Sequence, residues 1–335
     1  MAKLSTRDKE KPLILIGAIA VGVALNQLIG TKSLAWMMYL VEFGVFLVIL
    51  AVMMPVELAD VGRSFSKVKP TALALSVNFL FIPLFSWSMG WLLLRDHPDF
   101  WAGIVLYTLT PCIGWYLIFI DIAKGDVPWG MALLPLNITL QILLLPFYLY
   151  VLVGKVIPVD LSTLARSVGL FLIAPFALSF LFQRSIIARK GRDYFFGPVK
   201  RLMGEVKLWA LVLVIVAMFA SEGALQSTEF AQVGLLVVVL ILFFVVLFLA
   251  ALAIGRVTNL GYEDTVTMAF TTTARNSEAV IGVAIAAFPG HPLVYFAIIL
   301  GPIVELPILI VFSRVLLTLK ERFWQLPGEP VKGIY

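Results

Sequence analysis

Long apolar runs alternate with short polar segments along the whole of the 335-residue chain. Each run is close to the length of about 20 residues that a helix needs to cross the hydrocarbon of a bilayer. Polar and apolar residues do not alternate within the runs, as they would in membrane-spanning strands. The pattern predicts an all-α membrane protein with ten transmembrane helices, at residues 12–28, 35–55, 71–94, 101–121, 129–153, 166–183, 208–222, 233–255, 265–288 and 293–317.

The composition agrees with this pattern. Hydrophobic residues make up 61% of the chain and charged residues 13%, and the mean hydropathy is +1.02. These values lie far from those of soluble domains. Because no long polar stretch is left over, we expect residues 1–335 to form a single transmembrane transport unit.

The basic residues predict the orientation of the chain. Most of the 25 Lys and Arg residues lie in the two termini and in alternate loops, above all in the segment 183–207. Cytoplasmic loops carry such an excess, so we expect both termini and a cytoplasmic connecting loop at 183–207, in the cell (inner) membrane. The sequence pI of about 9.3 comes from these scattered loops, and nucleic-acid binding is not expected.

Ten helices with a basic segment half-way along suggest two inverted five-helix repeats, at residues 12–153 and 166–317. Pro135 in run five and Pro302 in run ten are offset by 167 residues, and each is followed closely by a polar side chain. Polar breaks in runs four and nine recur at a similar offset. Inverted repeats with broken helices at matching positions are typical of secondary transporters.

The break in run four contains a proline and the only cysteine of the chain, in LTPCIG at 109–114. Pro111 has no backbone N–H and clashes with the preceding turn, so carbonyl groups near Leu106 to Thr108 lose their partners. In a membrane such groups need another helix or a water-lined cavity. The alternative is a plain proline kink without further function.

The break in run nine, TTTARNSE at 271–278, is polar at seven of its eight positions. A charge at the bilayer centre costs about 2.5–3.5 kcal/mol, and this segment carries two, Arg275 and Glu278. On a helix the two side chains share a face and can pair. The density of polar groups favours a hydrated substrate site that includes Arg275, Asn276 and Glu278; a purely structural ion pair is the alternative.

Other polar residues within the runs are candidates for the same cavity. Glu305 lies in GPIVELP, and a buried carboxyl group without a partner is neutral, which would suit a proton carrier. A neutral acid bonded to a freed carbonyl is the alternative. Asn137, Gln141 and Asn78 either line the cavity or bond helices together.

The sequence gives no support for an enzymatic function. An intramembrane metalloprotease needs H-E-x-x-H, but His97 and His291 lie in loops far apart, and no phosphate-binding P-loop is present. A single cysteine excludes an internal disulfide, and soft metal ligands do not cluster. We therefore expect no enzyme activity, no metal centre and no cofactor.

Three segments resemble arsenite permeases of the arsenical-resistance-3 type, in the bile acid, arsenite and riboflavin transporter superfamily. They are PCIGWYLIFIDIAKGD (111–126), NSEAVIGVAIAAF (276–288) and GPIVELPIL (301–309). The resemblance implies panel and core domains whose fourth and ninth helices cross at their breaks. It also implies export of arsenite, and of antimonite, in exchange for protons, with Cys112 and Glu305 matching the family's functional cysteine and glutamate.

The sequence departs from these permeases around the crossing. They commonly carry an arginine before the cysteine, where Pro111 stands, and an Asn-Asn pair where Arg275 and Asn276 stand. In the sodium-coupled bile acid relatives, a glutamate and a glutamine that bind sodium match Thr271 and Arg275. Since arginine does not lose its proton, its charge would occupy a sodium site, which favours proton coupling through Glu305 and Glu278.

The chemistry of arsenic(III) gives the lone thiol a role. Arsenic(III) is soft and prefers thiolate, and one thiolate at Cys112 with oxygen ligands would leave binding reversible. The alternatives are a packing cysteine and a proton- or sodium-coupled carrier of a small organic anion bound by Arg275. The expected partners are a small inorganic or anionic substrate, protons and membrane lipid, and a homodimer is compatible with the sequence.

Overall fold

The computed structural model describes residues 6–34, 36–54, 67–112, 115–158, 161–222 and 230–323. Over these ranges the chain is helical, and its one β-type pairing is an isolated bridge between Pro111 and Arg275. The helices are α1 (Thr6–Ile29), α2 (Thr31–Leu34), α3 (Met37–Met53), α4 (Val68–Leu93), α5 (Pro98–Thr108), α6 (Trp115–Ile122), α7 (Val127–Val153), α8 (161–190), α9 (192–222), α10 (Phe230–Val257), α11 (Tyr262–Thr273), α12 (Ser277–Ala287) and α13 (Pro292–Phe323).

Several of these helices have the length and apolar character of membrane spans. Six stretches qualify among the described residues: Val68–Leu93, Val127–Val153, Ala165–Lys190, Arg192–Ser221, Ala231–Val257 and Pro292–Lys320. Shorter apolar helices cover Gly17–Ile29, Tyr39–Met53 and Ser277–Ala287. The prediction of an all-α membrane protein is therefore confirmed.

The segment 183–207, predicted as a cytoplasmic connecting loop, is helical except at Gly191. Helix α8 continues to Lys190, Gly191 turns the chain with a φ of +86°, and α9 begins at Arg192. Charged side chains do not end these helices, because Lys and Arg can extend their aliphatic stems along a helix towards water. Only Gly191, which tolerates a left-handed φ, interrupts the helical path.

The two matched prolines at positions 135 and 302 also differ from expectation. Helix α7 continues through Pro135, and α13 continues through Pro302 and Pro307. A proline removes one N–H from a helix, and neighbouring helices can satisfy the group it frees. The helical path is broken instead at the polar segments of runs four and nine.

The helices pack as two groups. Helices α1, α3, α8 and α9 form the first, which we call the four-helix group; in it, α9 packs most extensively against α3 and α1. Helices α4–α7 and α10–α13 form the second, the crossing group, in which α13 packs on α5 and α10 on α11. Helix α12 also touches α3 and α8, so it lies at the boundary between the groups.

A lysine joins three elements of the crossing group at one end. Lys67 Nζ lies 2.6 Å from Asp126 Oδ2 and 2.5 Å from Asp264 Oδ1. Partial burial opposes the charge of Lys67, but hydrogen bonds to the two carboxylates outweigh it and raise the pKa of the lysine. Asp126 also accepts from the Trp129 N–H at the start of α7. The cluster fixes the starts of α4, α7 and α11 relative to one another.

Candidate functional site

The two broken helices meet at their breaks. Helix α5 ends at Thr108 and α11 ends at Thr273, and the segments that follow pair through one isolated antiparallel bridge, between Pro111 and Arg275. The Cys112 N–H donates to Ala274 O at 3.0 Å, and the Asn276 N–H donates to Thr110 O at 2.8 Å. Each break thus supplies the backbone partners that the other break lacks, as a membrane interior requires.

Local residue chemistry explains where each helix stops. Pro111 has no N–H to continue α5, and two of the carbonyl groups expected to be freed there have partners: Tyr107 O accepts from the Thr110 hydroxyl at 3.0 Å, and Thr108 O accepts from Arg275 Nη1 at 3.0 Å. In the second break, Ala274 is extended (φ −72°, ψ 138°). Asn276 then caps α12, its Oδ1 accepting from the Ala279 N–H at 3.1 Å, as favoured N-cap residues do.

The Arg275 side chain fills the inside of the crossing and is only 3% exposed. Its guanidinium donates to oxygens of α4, α5 and α11: Asn78 Oδ1 (2.9 Å), Thr108 O (3.0 Å), Thr271 O (3.4 Å), Thr272 O (2.5 Å) and Thr273 O (3.3 Å). The C-terminal ends of α5 and α11, where helix dipoles are negative, both face this cation. The guanidinium therefore neutralises two helix ends at once.

The hydrogen bonds of Arg275 bear on both of its predicted roles, as a substrate ligand and as one half of an ion pair with Glu278. Arginine has five N–H groups, and the bonds just described leave at most one of them, on Nη1, for a substrate. The predicted pairing of Arg275 with Glu278 does not form, because residues 274–276 are not helical and the i, i+3 spacing of a helix does not apply. Glu278 instead lies 3.0 Å from Lys207 Nζ.

Glu305 of α13 reaches the crossing from the other side of Arg275. It is 3% exposed, and its Oε1 accepts the backbone N–H of Arg275 at 3.2 Å. Its Oε2 accepts a hydrogen bond from the Tyr107 hydroxyl. Both carboxyl oxygens thus have a donor, and neither donor is the guanidinium. The carboxyl group joins α13 to the first and the second break.

A glycine makes room for this contact. A Cβ at Gly301 would lie 2.4 Å from Cζ of Tyr107, well inside van der Waals contact. The buried tyrosine can therefore lie against the backbone of α13 and reach Glu305 only because position 301 has no side chain. This assigns a packing function to the glycine of the GPIVE segment.

A cavity of about 50 Å³ adjoins the crossing on the side of Glu305. It lies between α9 of the four-helix group and the broken helices, and it is lined by Trp115, Lys207, Leu208, Leu211, Arg275, Ser277, Glu278, Pro302, Glu305 and Leu306. One water needs about 10–15 Å³ in this measure. The cavity therefore has room for a solute of only a few non-hydrogen atoms.

The structure groups three of the predicted site residues around this cavity and places three elsewhere. Arg275, Glu278 and Glu305 line it. Cys112 is buried, 2% exposed, in the non-helical segment of the first break. Asn276 is the cap of α12, and its Nδ2 has no partner among the described residues. Asn137 donates to the Thr271 hydroxyl at 3.3 Å, on the guanidinium side of the crossing.

Two residues near the crossing were not singled out by the sequence analysis. Lys207, which lines the cavity, was assigned to a connecting loop, whereas it lies inside α9 and pairs with Glu278. Tyr107, which contacts Glu305, lies four residues before Pro111, one turn before the break. The signal in the sequence that could have identified Tyr107 is a hydroxyl group one turn before a proline break.

Gln141, another predicted candidate, is buried, and both polar atoms of its amide lack a partner within the described ranges.

Comparison with known proteins agrees with this architecture. Residues 42–229 match the profile of the Sodium Bile acid symporter family, a stretch of more than half of the chain. The chain belongs to this family. As a member of the Sodium Bile acid symporter family, it is a secondary transporter of the membrane and not an enzyme.

Individual relatives extend the similarity over nearly the whole chain. An arsenical-resistance protein Acr3 of Corynebacterium glutamicum is 26% identical, over 98% of this chain and 93% of its own length. An uncharacterized transporter, slr0944, of a Synechocystis species is 22% identical over 98% of this chain and 92% of its own. A second Acr3, from Alkaliphilus metalliredigens, is 22% identical over 91% of this chain and 90% of its own.

Proposed function

We propose that this transporter exports arsenite, and antimonite, in exchange for protons. The observation that carries the proposal is the position of the only cysteine, in the first break, where its N–H donates to Ala274 O of the second break. Similarity to two arsenical-resistance proteins over nearly the full length supports the same substrate. The finer statements below rest on this assignment.

Cys112 is the proposed ligand of the metalloid. Thiolate is the soft donor that arsenic(III) prefers, and a single thiolate leaves the complex weak enough to release its cargo. The thiol is buried and is not among the residues that line the cavity in this structure. The proposal therefore requires that the cavity reach Cys112 in another state of the transport cycle. The small cavity suits a compact hydroxylated solute better than a large organic anion.

The surroundings of Arg275 disfavour the carrier of organic anions. Holding a carboxylate in a bidentate manner needs two parallel N–H groups, and the guanidinium has at most one to offer. Its cage of oxygens at two helix C-terminal ends is also where transporters of this kind place a coupling cation. We infer that the Arg275 guanidinium is a tethered cation, that is, a cation attached to the protein that occupies the place of a free coupling cation. The proton is then the coupling ion.

Glu305 and Glu278 are the proposed proton carriers. Both line the cavity, and Glu305 also contacts both breaks, so binding of substrate near the crossing changes its surroundings directly. A proton taken up by Glu305 when the cavity is empty is released when the substrate enters. Glu278, held by Lys207, provides a second carboxylate beside it.

The same proposal covers the finer architecture. We infer ten membrane crossings: the six long spans, the helices at Gly17–Ile29 and Tyr39–Met53, and two broken helices, α5–α6 and α11–α12. They form inverted repeats at 12–153 and 166–317, with both termini cytoplasmic in the inner membrane. The four-helix group is the panel that rocks against the crossing group, the core; a homodimer of such units stays a prediction.

Arsenite accumulation in cells that lack their own exporters tests the proposed function. Cells that express the wild type should accumulate less arsenite than empty-vector cells, and Cys112→Ser should abolish the difference, because oxygen is a poor substitute for a thiolate. Cys112→Ala controls for packing, since alanine is small and apolar.

Membrane levels of each variant are measured by immunoblot. If a properly inserted Cys112→Ser protein exports arsenite as well as the wild type, Cys112 is a packing residue. If the wild type itself fails to export arsenite or antimonite, the substrate assignment is wrong, and a set of small carboxylates becomes the next substrate panel.

A further inference from the structure

We propose that Lys207 is the gating residue of this transporter. It closes the cavity by joining α9 of the four-helix group to both broken helices of the crossing group, and the cavity opens when this contact separates. The proposal rests on the rocking of the two groups inferred above. It does not depend on which substrate is carried.

Lys207 makes two polar contacts across the boundary between the groups. Its Nζ lies 3.0 Å from Glu278 Oε1 of α12 and 5.3 Å from the centroid of the Trp115 ring of α6. The first is an ion pair and the second a cation–π contact. One side chain of α9 thus holds the second halves of both broken helices, at the edge of the cavity that contains Glu305.

The rest of this boundary is loosely packed. A second, smaller cavity of about 10 Å³ continues along α9, and it shares Leu211, Ser277 and Pro302 with the first. The packing of α9 is most extensive against α3 and α1, within its own group. Protein interiors are normally close-packed, so a row of unfilled space marks a surface at which the two groups can separate.

Both partners of the ion pair keep favourable surroundings when it breaks. Glu278 lies in the first turn of α12, where the helix dipole favours a negative charge. Lys207 and Glu278 are 22% and 14% exposed at their side chains, so neither is fully enclosed by protein. A partly exposed ion pair is weaker than a buried one, which suits a contact that forms and breaks in each cycle.

The other charged groups of the cavity are bonded elsewhere, so Glu278 is the partner of Lys207. Glu305 accepts from the Tyr107 hydroxyl and the Arg275 N–H. The Arg275 guanidinium is bonded to carbonyl groups on the far side of the crossing. Lys207 is therefore the cation that the four-helix group contributes to a cavity whose other polar groups come from the crossing group.

Labelling of a cysteine placed inside the cavity measures this gate without any substrate. Ser277 lines both cavities and is 8% exposed, and the only native cysteine, Cys112, is buried and gives a low background. The Ser277→Cys protein is solubilised in detergent, and its rate of reaction with a water-soluble maleimide is measured. Opening of the boundary between the groups exposes this thiol.

We expect Lys207→Met and Glu278→Gln, each added to Ser277→Cys, to raise the labelling rate about fivefold, since each removes half of a modest ion pair. The exchanged pair, Lys207→Glu with Glu278→Lys, should return the rate towards that of Ser277→Cys alone. Lys200→Met is the matched control, because Lys200 is an exposed lysine of the same helix, and it should leave the rate unchanged.

Two results would overturn the proposal. One is an unchanged labelling rate in both single variants; the other is an exchanged pair that reacts as fast as the single variants. Using both single variants guards against a folding failure of either one, which size-exclusion chromatography detects. Because no substrate is present, a failure of arsenite export in cells and a failure of this gate are separate results.

Discussion

The two sides of the helix crossing are built from the same breaks but differ in whether a cavity adjoins their polar groups. On one side, the Arg275 guanidinium donates to five protein oxygens. On the other, Glu305, Glu278 and Lys207 line a cavity. The first side is closed by its own hydrogen bonds, and the second has space for a solute.

Helix direction explains the division. The C-terminal ends of α5 and α11 face the guanidinium, whereas the N-terminal end of α12 carries Glu278. Negative helix ends thus meet the cation, and a positive end meets a carboxylate. The comparison teaches that charged residues at one break can have different surroundings: the Arg275 guanidinium is bonded to the ends of two helices, whereas the carboxylates of Glu278 and Glu305 line a cavity.

The largest expected effect comes from removing the charge on the closed side. Arg275→Met leaves the carbonyl groups of Thr108, Thr272 and Thr273 without their donor in a buried place. We expect a loss of about 3–5 kcal/mol in stability, the usual result of removing one partner from a buried charge site. Thermal unfolding in detergent measures it as a lower melting temperature.

Arg275→Lys is the matched control, because it keeps the positive charge but offers fewer N–H donors. Its melting temperature should lie between those of the wild type and of Arg275→Met. Sodium chloride, compared with choline chloride, should stabilise Arg275→Met and leave the wild type unchanged, since the oxygen cage then has room for a free cation. A melting temperature of Arg275→Met equal to that of the wild type would contradict the tethered-cation assignment.

On the cavity side, Glu305→Gln should stop coupled transport and spare the fold. Glutamine keeps an acceptor for the Arg275 N–H, but it cannot carry a proton. In everted membrane vesicles, we expect arsenite uptake driven by a pH gradient to fall at least about tenfold, while exchange of labelled for unlabelled arsenite persists. Glu42→Gln, at an exposed position of α3, is the control and should change neither the gradient-driven uptake nor the exchange of arsenite. Gradient-driven uptake by Glu305→Gln at the wild-type rate would exclude Glu305 as the proton carrier.

The smallest effect concerns the hydrogen bond that orients Glu305. Tyr107→Phe removes the hydroxyl donor, and Gly301→Ala displaces the ring that carries it. Since a neutral hydrogen bond contributes about 1 kcal/mol, each variant should lower the rate of uptake about fivefold. The double variant should be no worse than the worse single variant, as measured in the same vesicles. Additive losses would show that Gly301 acts in some other way.

Much of the architecture could be predicted from the sequence because it depends on local composition. Apolar runs of membrane length require helices. Pro111 and the polar segment 271–278 mark the positions at which two of these helices are interrupted. Other local signals are ambiguous. Pro135 and Pro302 are accommodated within helices, and charge alone did not end the helices on either side of Gly191.

The sequence by itself determined that this protein spans membranes as helices, that two of those helices break, and which charged residues lie at the breaks. Only the tertiary structure decided their partners. Arg275 bonds to carbonyl groups rather than to Glu278, and Glu278 pairs with Lys207 from another group of helices. These pairings join residues tens to hundreds of positions apart. They depend on how the helix ends face one another, which no local pattern of residues records.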